Sequence, residues 1–402
     1  MLINHIDRVN TGHKSNQRMA INKDYAFASG GLLWKMLDRP TFESKSLRLQ
    51  LSFVFGLMLL CWLPIAILSF LTLGWNQFFL FFLRDVATHV RFLLVLPLLI
   101  FARRSVNSSF NSAIAFFYET KIVDQKNAEA FEQMMNKLEK WKNSKFIDFI
   151  LVFTVYMSFF LQQESRVNNA SIYAPWHVIN NHVTVAGWWY LLVSIPIFQL
   201  LLYRWLYTII LWIIFLRKLS KLKLHLSSLH PDGLGGLGFL RYTQLSFFPV
   251  ALAYSALTAG VMNNLIIFSG ITIADYKVAF GSIVLIIAFL FILPLTQLIP
   301  LLAKVKRKYY MQYSLQSWPI ARKYEEELRA FYKTEEEENP DTSLHVDLIG
   351  SFEKTKDMKI IIVDKTILVA FAVAIILPFL PVLAQQVPLK DIFINLFSKI
   401  LG

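Results

Sequence analysis

Residues 278–303 read VAFGSIVLIIAFLFILPLTQLIPLLA, an apolar run without a single Asp, Glu, Lys or Arg. A helix rising ~1.5 Å per residue needs ~20 such residues to cross the ~30 Å hydrocarbon core of a bilayer, and this run exceeds that. Six further apolar stretches, at about 49–73, 86–102, 146–163, 187–216, 242–269 and 360–384, repeat the pattern, the two shortest coming close to spanning length. The expectation is an all-α polytopic transmembrane helix bundle of about seven spans.

Composition agrees. A mean hydropathy of +0.48, 55% apolar residues and 35 Phe in 402 residues exceed what a soluble globular domain carries. The formal charge of +13 would point to nucleic acid in a soluble protein, but in a membrane protein Lys and Arg flank the spans on the cytoplasmic side. With the N-terminus inside, segments 1–48, 103–145, 217–241 and 304–359 hold 32 of the 40 Lys and Arg. The outer segments hold only Arg84, Arg166, Lys277, Lys390 and Lys399. That asymmetry selects an N-in, C-out orientation, and it leaves no reason to invoke DNA or RNA.

The same division sets the organisation: a cytoplasmic segment 1–48, spans one to six over 49–303, a cytoplasmic insert 304–359, a seventh span 360–384 and an outer tail 385–402. No short h-region with a small-residue cleavage site opens the chain, so the first span is expected to be retained. Cys61 is the only cysteine, which excludes an intramolecular disulfide and a thiolate metal cluster. Asn169-Ala170-Ser171 matches a glycosylation sequon that matters only in a secretory pathway. Residues 113–145 recur with apolar side chains every three to four positions and read as an amphipathic helix. Residues 304–338 continue helically until Asn339-Pro340-Asp341, and 217–229 reads as a basic helix. Residues 389–401 suit a short interfacial helix on the outer face.

The most distinctive local run is His230-Pro231-Asp232-Gly233-Leu234-Gly235-Gly236-Leu237-Gly238-Phe239. Its glycines permit sharp turns and close backbone approach, and the helix that follows offers free N–H groups. Three readings stay open: a helix break with tight re-entry into the membrane, an anion or lipid-headgroup site at His230, Asp232, Gly233, Gly235, Gly236 and Gly238, and a metal site using His230 and Asp232. No strand precedes the run and no Lys-Ser/Thr pair follows it, so it is not a nucleotide fingerprint.

Ionisable groups within lipid are the stronger functional pointers, because an unpaired charge there costs ~2.5–3.5 kcal/mol or more. Span two opens with Asp85, His89 and Arg91, and Asp85 and His89 are i, i+4 neighbours able to hydrogen-bond and relay a proton. At the outer interface they would instead anchor the helix. Span four carries Gln199, Tyr203, Arg204 and Tyr207. Arg204 calls for a backbone carbonyl, an amide oxygen, an acid from another span or an anionic ligand. Asn263 and Asn264 in span five and Gln297 in span six complete a candidate polar path, with interhelical hydrogen bonding as the structural reading. Asp364 and Lys365 pair with each other or with headgroups. Prolines stand in six of the seven spans, among them Pro97 and Pro196.

His89-Val90-Arg91-Phe92-Leu93 leading into Leu96-Pro97-Leu98-Leu99-Ile100, the glycine loop 230–240, and residues 348–358 with Leu377-Pro378-Phe379-Leu380-Pro381 resemble an uncharacterised family of multi-pass bacterial membrane proteins. The resemblance covers most of the chain from about residue 80 onward in patches. Leu234 departs from the small residue that similar loops carry. The resemblance implies a bacterial inner-membrane protein whose partner is the bilayer and its anionic headgroups. It brings no substrate, cofactor or catalytic residue, and a protein partner or homo-oligomer stays open. The preferred function is a channel or transporter for an ion or small solute, with anionic solutes among the candidates. The alternative is a non-transporting scaffold or signalling component that binds a partner through its inner helices. An enzyme ranks third: no cofactor is called for, no His/Asp/Glu grouping has metal spacing and no G-x-S-x-G nucleophile motif occurs.

Overall fold

The computed structural model describes Tyr25, residues 27–31, Trp34 and residues 47–168, 176–180, 182–270, 272–334 and 343–385. The expected outer helix 389–401, the Asn169 sequon and the break at Asn339-Pro340-Asp341 lie outside these residues. The helices are α1 Leu47–Gln77, α2 Val86–Glu119, α3 Gln125–Lys142, α4 Lys145–Asn168, α5 Val185–Leu219, α6 Leu240–Ser269, α7 Ile273–Thr296, α8 Ile299–Thr334, α9 Ser343–Asp357 and α10 Lys365–Leu383. A two-stranded hairpin pairs Val178 with Val183 and Ile179 with His182 between α4 and α5.

Six helices among the described residues are long and apolar enough to cross a membrane: α1, α2, α5, α6, the α7–α8 run and α10. The architecture is that of a helical multi-pass membrane protein. In α6, 56% of the apolar window is buried, against 22% in α1, so α6 sits centrally and α1 at the rim. Phe146, Phe149, Phe153, Phe160 and Leu161 of α4 are exposed, as lipid-facing side chains are expected to be.

Helices α2 and α5, at 34 and 35 residues, are ~50 Å long, well beyond a bilayer core. The end of the bundle where the basic residues gather is called the basic end below. The expected helix 113–145 is two. Residues 113–119 belong to α2, and a turn at 120–124 separates them from α3. There the Thr120 hydroxyl bonds back to Phe116 O at 2.6 Å and Lys121 takes φ +56°, which no helix can continue through. The expected basic helix 217–229 ends with α5 at Leu219. Its remainder is drawn off as a loop whose His225 N–H donates to Ile122 O at 2.9 Å and whose Leu226 is buried.

Indole and amide groups fasten the helices together. Trp205 Nε1 donates to Leu99 O at 3.1 Å and Trp212 Nε1 to Gln244 Oε1 at 2.8 Å. Gln244 Nε2 donates onward to Phe291 O at 2.7 Å. With Phe92, Phe198, Phe215 and Phe247 buried around them, these bonds satisfy polar atoms that an apolar interior would otherwise penalise by ~1–3 kcal/mol each.

Candidate functional site

At the end opposite the basic one, the turn between α1 and α2 carries Asp85, only 1% exposed. It starts α2 as its N-cap, accepting from Thr88 N at 2.9 Å and Thr88 Oγ1 at 2.8 Å, the ordinary use of a carboxylate against free helix N–H groups. Three further groups converge on it. Trp176 Nε1 donates at 2.8 Å, Asn264 Nδ2 donates at 2.7 Å, and His177 Nε2 lies 3.6 Å away. Burial pushes the Asp85 carboxyl upward, but the His177 contact and charge, the Asn264 amide and the Thr88 N–H outweigh it and hold the group well below the usual carboxylate range.

The loop 176–184 closes over this carboxylate. The His177 ring stacks on Trp176 with centroids 3.6 Å apart and meets Tyr190 edge-on at 4.5 Å. Thr184 caps α5 through Gly187 N at 2.9 Å. At Gly187 a Cβ would stand 2.5 Å from His177 O, so only glycine lets the loop pack this closely. Arg91 donates to Tyr190 Oη and lies 5.7 Å over the Phe198 ring.

The His89 ring does not bond the Asp85 carboxylate, although His89 N donates to Asp85 O at 3.3 Å. Trp62 Nε1 donates to His89 Nδ1 at 3.0 Å, and an indole nitrogen can only donate, so Nδ1 accepts and Nε2 carries the proton toward Phe82 O at 3.1 Å. The i, i+4 relay expected from spacing is replaced by a contact between Asp85 and a histidine from a distant loop.

Three wide, π-helical turns ring the cluster: Phe78–Phe82, Val90–Val95 and Tyr190–Ser194. Two have a cause in the sequence. Pro97 and Pro196 lack an N–H and press on the carbonyls of Leu93 and Leu192, four residues back, and the backbone widens there. The widened turns hold Arg91 and Tyr190, which bond each other.

Arg204 lies at the other end of the bundle, level with the start of α4. Its Nη2 donates to Lys142 O at 2.6 Å and its Nη1 lies 3.6 Å from Asp148 Oδ1: a carbonyl and an acid from another helix, as its burial demands. The N-terminal segment fills the space beside it. Phe27 stacks on Phe110 at 4.1 Å, Ser29 Oγ accepts from Arg103 Nε at 2.6 Å and Asn107 Nδ2 at 2.7 Å, and Lys142 Nζ donates to Tyr25 O at 2.8 Å. Burial, with Glu132 and Glu139 nearby, pushes the Tyr25 phenol up to about 12. At Gly31, with φ +81°, a Cβ would lie 2.3 Å from Asp148 Oδ1 and 2.7 Å from Arg204 Nη1.

In the glycine loop the N–H groups an anion would use are taken by the loop's own carboxylate. Asp232 Oδ1 accepts from Leu234 N at 2.8 Å and Gly236 N at 3.1 Å, and Oδ2 from Gly238 N at 2.8 Å. His230 Nδ1 stands 2.9 Å from Asp232 Oδ1. Burial raises the Asp232 carboxyl, and these N–H groups and His230 together bring it below its ordinary value. Gly233, Gly235 and Gly236 all have positive φ. The loop then clasps the approach to α10: Lys359 N donates to Gly233 O at 2.8 Å, and Arg241 pairs with Asp364 at 2.8 Å. Asp364 therefore pairs with Arg241 and caps α10 at Ile367 N, 2.9 Å away; Lys365 is not its partner, because the cap aims the carboxylate along the helix axis.

The remaining candidates divide. Asn264 joins Asp85 and also accepts from Ala87 N at 3.1 Å. Asn263 accepts from Gln385 Nε2 at 2.5 Å, while its own Nδ2 has no partner among the described residues. Gln199 accepts from Ser158 at 3.3 Å, and Gln297 lies at the basic end beside Thr296. Arg204, Asn263, Asn264 and Gln297 thus belong to separate contacts. Among the described residues no three His, Cys, Asp or Glu side chains gather closely enough to hold a metal ion.

Comparison with protein-family models, with curated proteins and with solved structures gives no match. The reading of the site therefore rests on its own geometry.

Proposed function

We propose that the chain is a seven-span protein of the bacterial inner membrane, with α4 as its third span, the basic end in the cytoplasm and the Asp85 cluster facing outward. We further infer that it is a transporter for an ion or small solute, in which His177 is the proton-carrying group and the Asp85 carboxylate beside it stays ionised and holds it in place. The observation that supports this is a buried carboxylate with an imidazole 3.6 Å away, ringed by widened helix turns of the kind found at functional sites. An imidazole can both accept and release a proton, which suits coupling of a proton to movement of a solute. The test is purified protein in liposomes under an imposed pH gradient, with a panel of ions and small anions. Flux that His177→Gln changes supports the reading; flux equal to empty liposomes across the panel overturns it.

A second reading has its own support. Met311, Leu315 and Trp318, spaced i, i+4 and i+7 along α8, are all exposed on a helix that runs 36 residues from Ile299. Such an apolar stripe on a basic-end arm suits a scaffold or signalling protein holding a partner. Co-purification that survives loss of that stripe, by Leu315→Ser with Trp318→Ser, overturns this alternative.

A further inference from the structure

Between the end of α5, the loop 220–226 and the junction of α7 with α8 lies an open cleft of about 1170 Å³. Arg217, Lys221, Lys223, Lys304 and Lys308 line it, and none of the five makes an ion pair among the described residues. The sixth basic group, His225, is already engaged 3.3 Å from Asp124. Among the described residues no acidic side chain lines the cleft. Five like charges facing one space repel one another, and Lys304 and Lys308 do so at i, i+4 on one helix. The fold nevertheless holds them there.

The other wall is apolar and includes Pro300 and Leu301. These residues end the uncharged run 278–303 just where Lys304, Lys306, Arg307 and Lys308 begin, so the cleft sits where hydrocarbon gives way to headgroups. Further along α7, Leu285 and Phe289 are exposed for acyl chains to cover. The volume is above that of ordinary small-ligand sites, with room for more than one phosphate. Gln297 and Tyr309 stand in the lining beside the cations.

We propose that this cleft binds a phosphate-bearing anion presented by an anionic phospholipid of the same leaflet. The glycine loop, whose N–H groups Asp232 occupies, is not needed for it, and the proposal stands whether or not the protein transports anything. It depends on convergent charge at the bilayer boundary, a known basis for headgroup recognition between membrane helices.

The test is native mass spectrometry of the full chain in detergent, titrated with phosphatidylglycerol, with cardiolipin, with phosphatidylcholine and, separately, with glycerol phosphate. Anionic lipid should bind at least tenfold more tightly than phosphatidylcholine. Replacing Lys221, Lys223, Lys304 and Lys308 together by Ala should remove that preference, whereas replacing all four by Arg should keep it. A control removing the same charge elsewhere at the basic end, from Lys121, Lys137, Lys140 and Lys323, should leave it intact. Equal loss in the control and cleft variants overturns the site, as does equal binding of phosphatidylcholine. Glycerol phosphate binding as tightly as the lipid overturns the lipid source. If the Ala variant fails to fold, the Arg variant decides: loss of the preference in a folded Arg variant overturns the proposal.

Discussion

The carboxylate of Asp85 and the imidazole of His177 meet 3.6 Å apart, one from the turn between the first two helices and the other from the loop ahead of α5. Their meeting converts a helix cap into a buried polar centre, because the same carboxylate that receives Thr88 N–H also receives the Trp176 indole and the Asn264 amide.

Asp85→Ala removes the acceptor of four donated bonds and leaves the donors enclosed. Truncating one member of a buried charged network costs on the order of 3 kcal/mol, and unfolding in detergent at neutral pH is expected to show a loss of that size. The pH dependence has a definite sign. A carboxyl held below its ordinary range in the fold adds stability above that range and loses it as pH falls through the folded value. Wild-type melting is therefore expected to be independent of Asp85 across neutral and mildly acidic pH and to weaken in strong acid, and Asp85→Asn should flatten that acid limb. An acid limb unchanged in Asp85→Asn means that other carboxyls set it.

Gly187→Ala touches no ionisable group, yet its Cβ would sit 2.5 Å from a backbone oxygen of His177, which cannot swing aside. The loop must shift and take His177 and Trp176 with it. The pH profile of flux in liposomes is expected to match that of His177→Gln. Reduced stability with a wild-type profile breaks the link between loop position and function.

Gly31→Ala collides with both Asp148 and Arg204 and adds a side chain at φ +81°. The segment around it is expected to leave its seat. Ala28→Cys, buried in the fold, should resist a water-soluble maleimide in the wild-type background and react at least tenfold faster beside Gly31→Ala; native Cys61 is buried and gives a low background. Equal labelling rates count against the seating.

Gly235→Ala at φ +69° brings a Cβ 3.1 Å from Met358 Cε, so left-handed strain of ~1–2 kcal/mol adds to a packing clash. Asp232→Ala frees three N–H groups in a half-buried loop where water can replace part of the loss, about 1–2 kcal/mol. Both variants should melt below wild type, with Gly233→Ala milder because nothing lies within 4 Å of its added Cβ. A Gly233 variant worse than Gly235→Ala would show that conformation alone, and not the Met358 contact, sets the cost.

Apolar length was enough to read six membrane-competent helices from the chain, because a spanning helix must satisfy its backbone within itself and so leaves a continuous signature, whereas the seventh expected stretch, 146–163, is not among those six. Asp85, Arg91 and Asn264 were also visible, as polar groups in or beside apolar runs. Their partners were not. Trp176 and His177 sit in a short loop without periodicity, and only the neighbouring Asn180-Asn181 marks a turn there. The expected Asp85–His89 pair failed because a nearby indole claimed His89 Nδ1 first. The burial of Tyr25, Phe27 and Trp34 was not legible, because the apolar run 25–34 is too short to span a bilayer and shows no helical or strand period. Arg204 announced its need for a carbonyl or an acid from another helix, but not that Lys142 and Asp148 supply them, because both lie outside its own apolar run.

The clasp between the glycine loop and residues 359–364 has a consequence for how the molecule is made. Synthesis proceeds from the N-terminus, so His230 to Arg241 leave the ribosome more than a hundred residues before Lys359 and Asp364 exist. Asp232 can fold the loop unaided, from bonds lying within ten residues of sequence. Helix α10 thus meets a loop whose own hydrogen bonds require nothing later in the chain, while the packing on Met358 and the bonds to Lys359 and Asp364 wait for those residues.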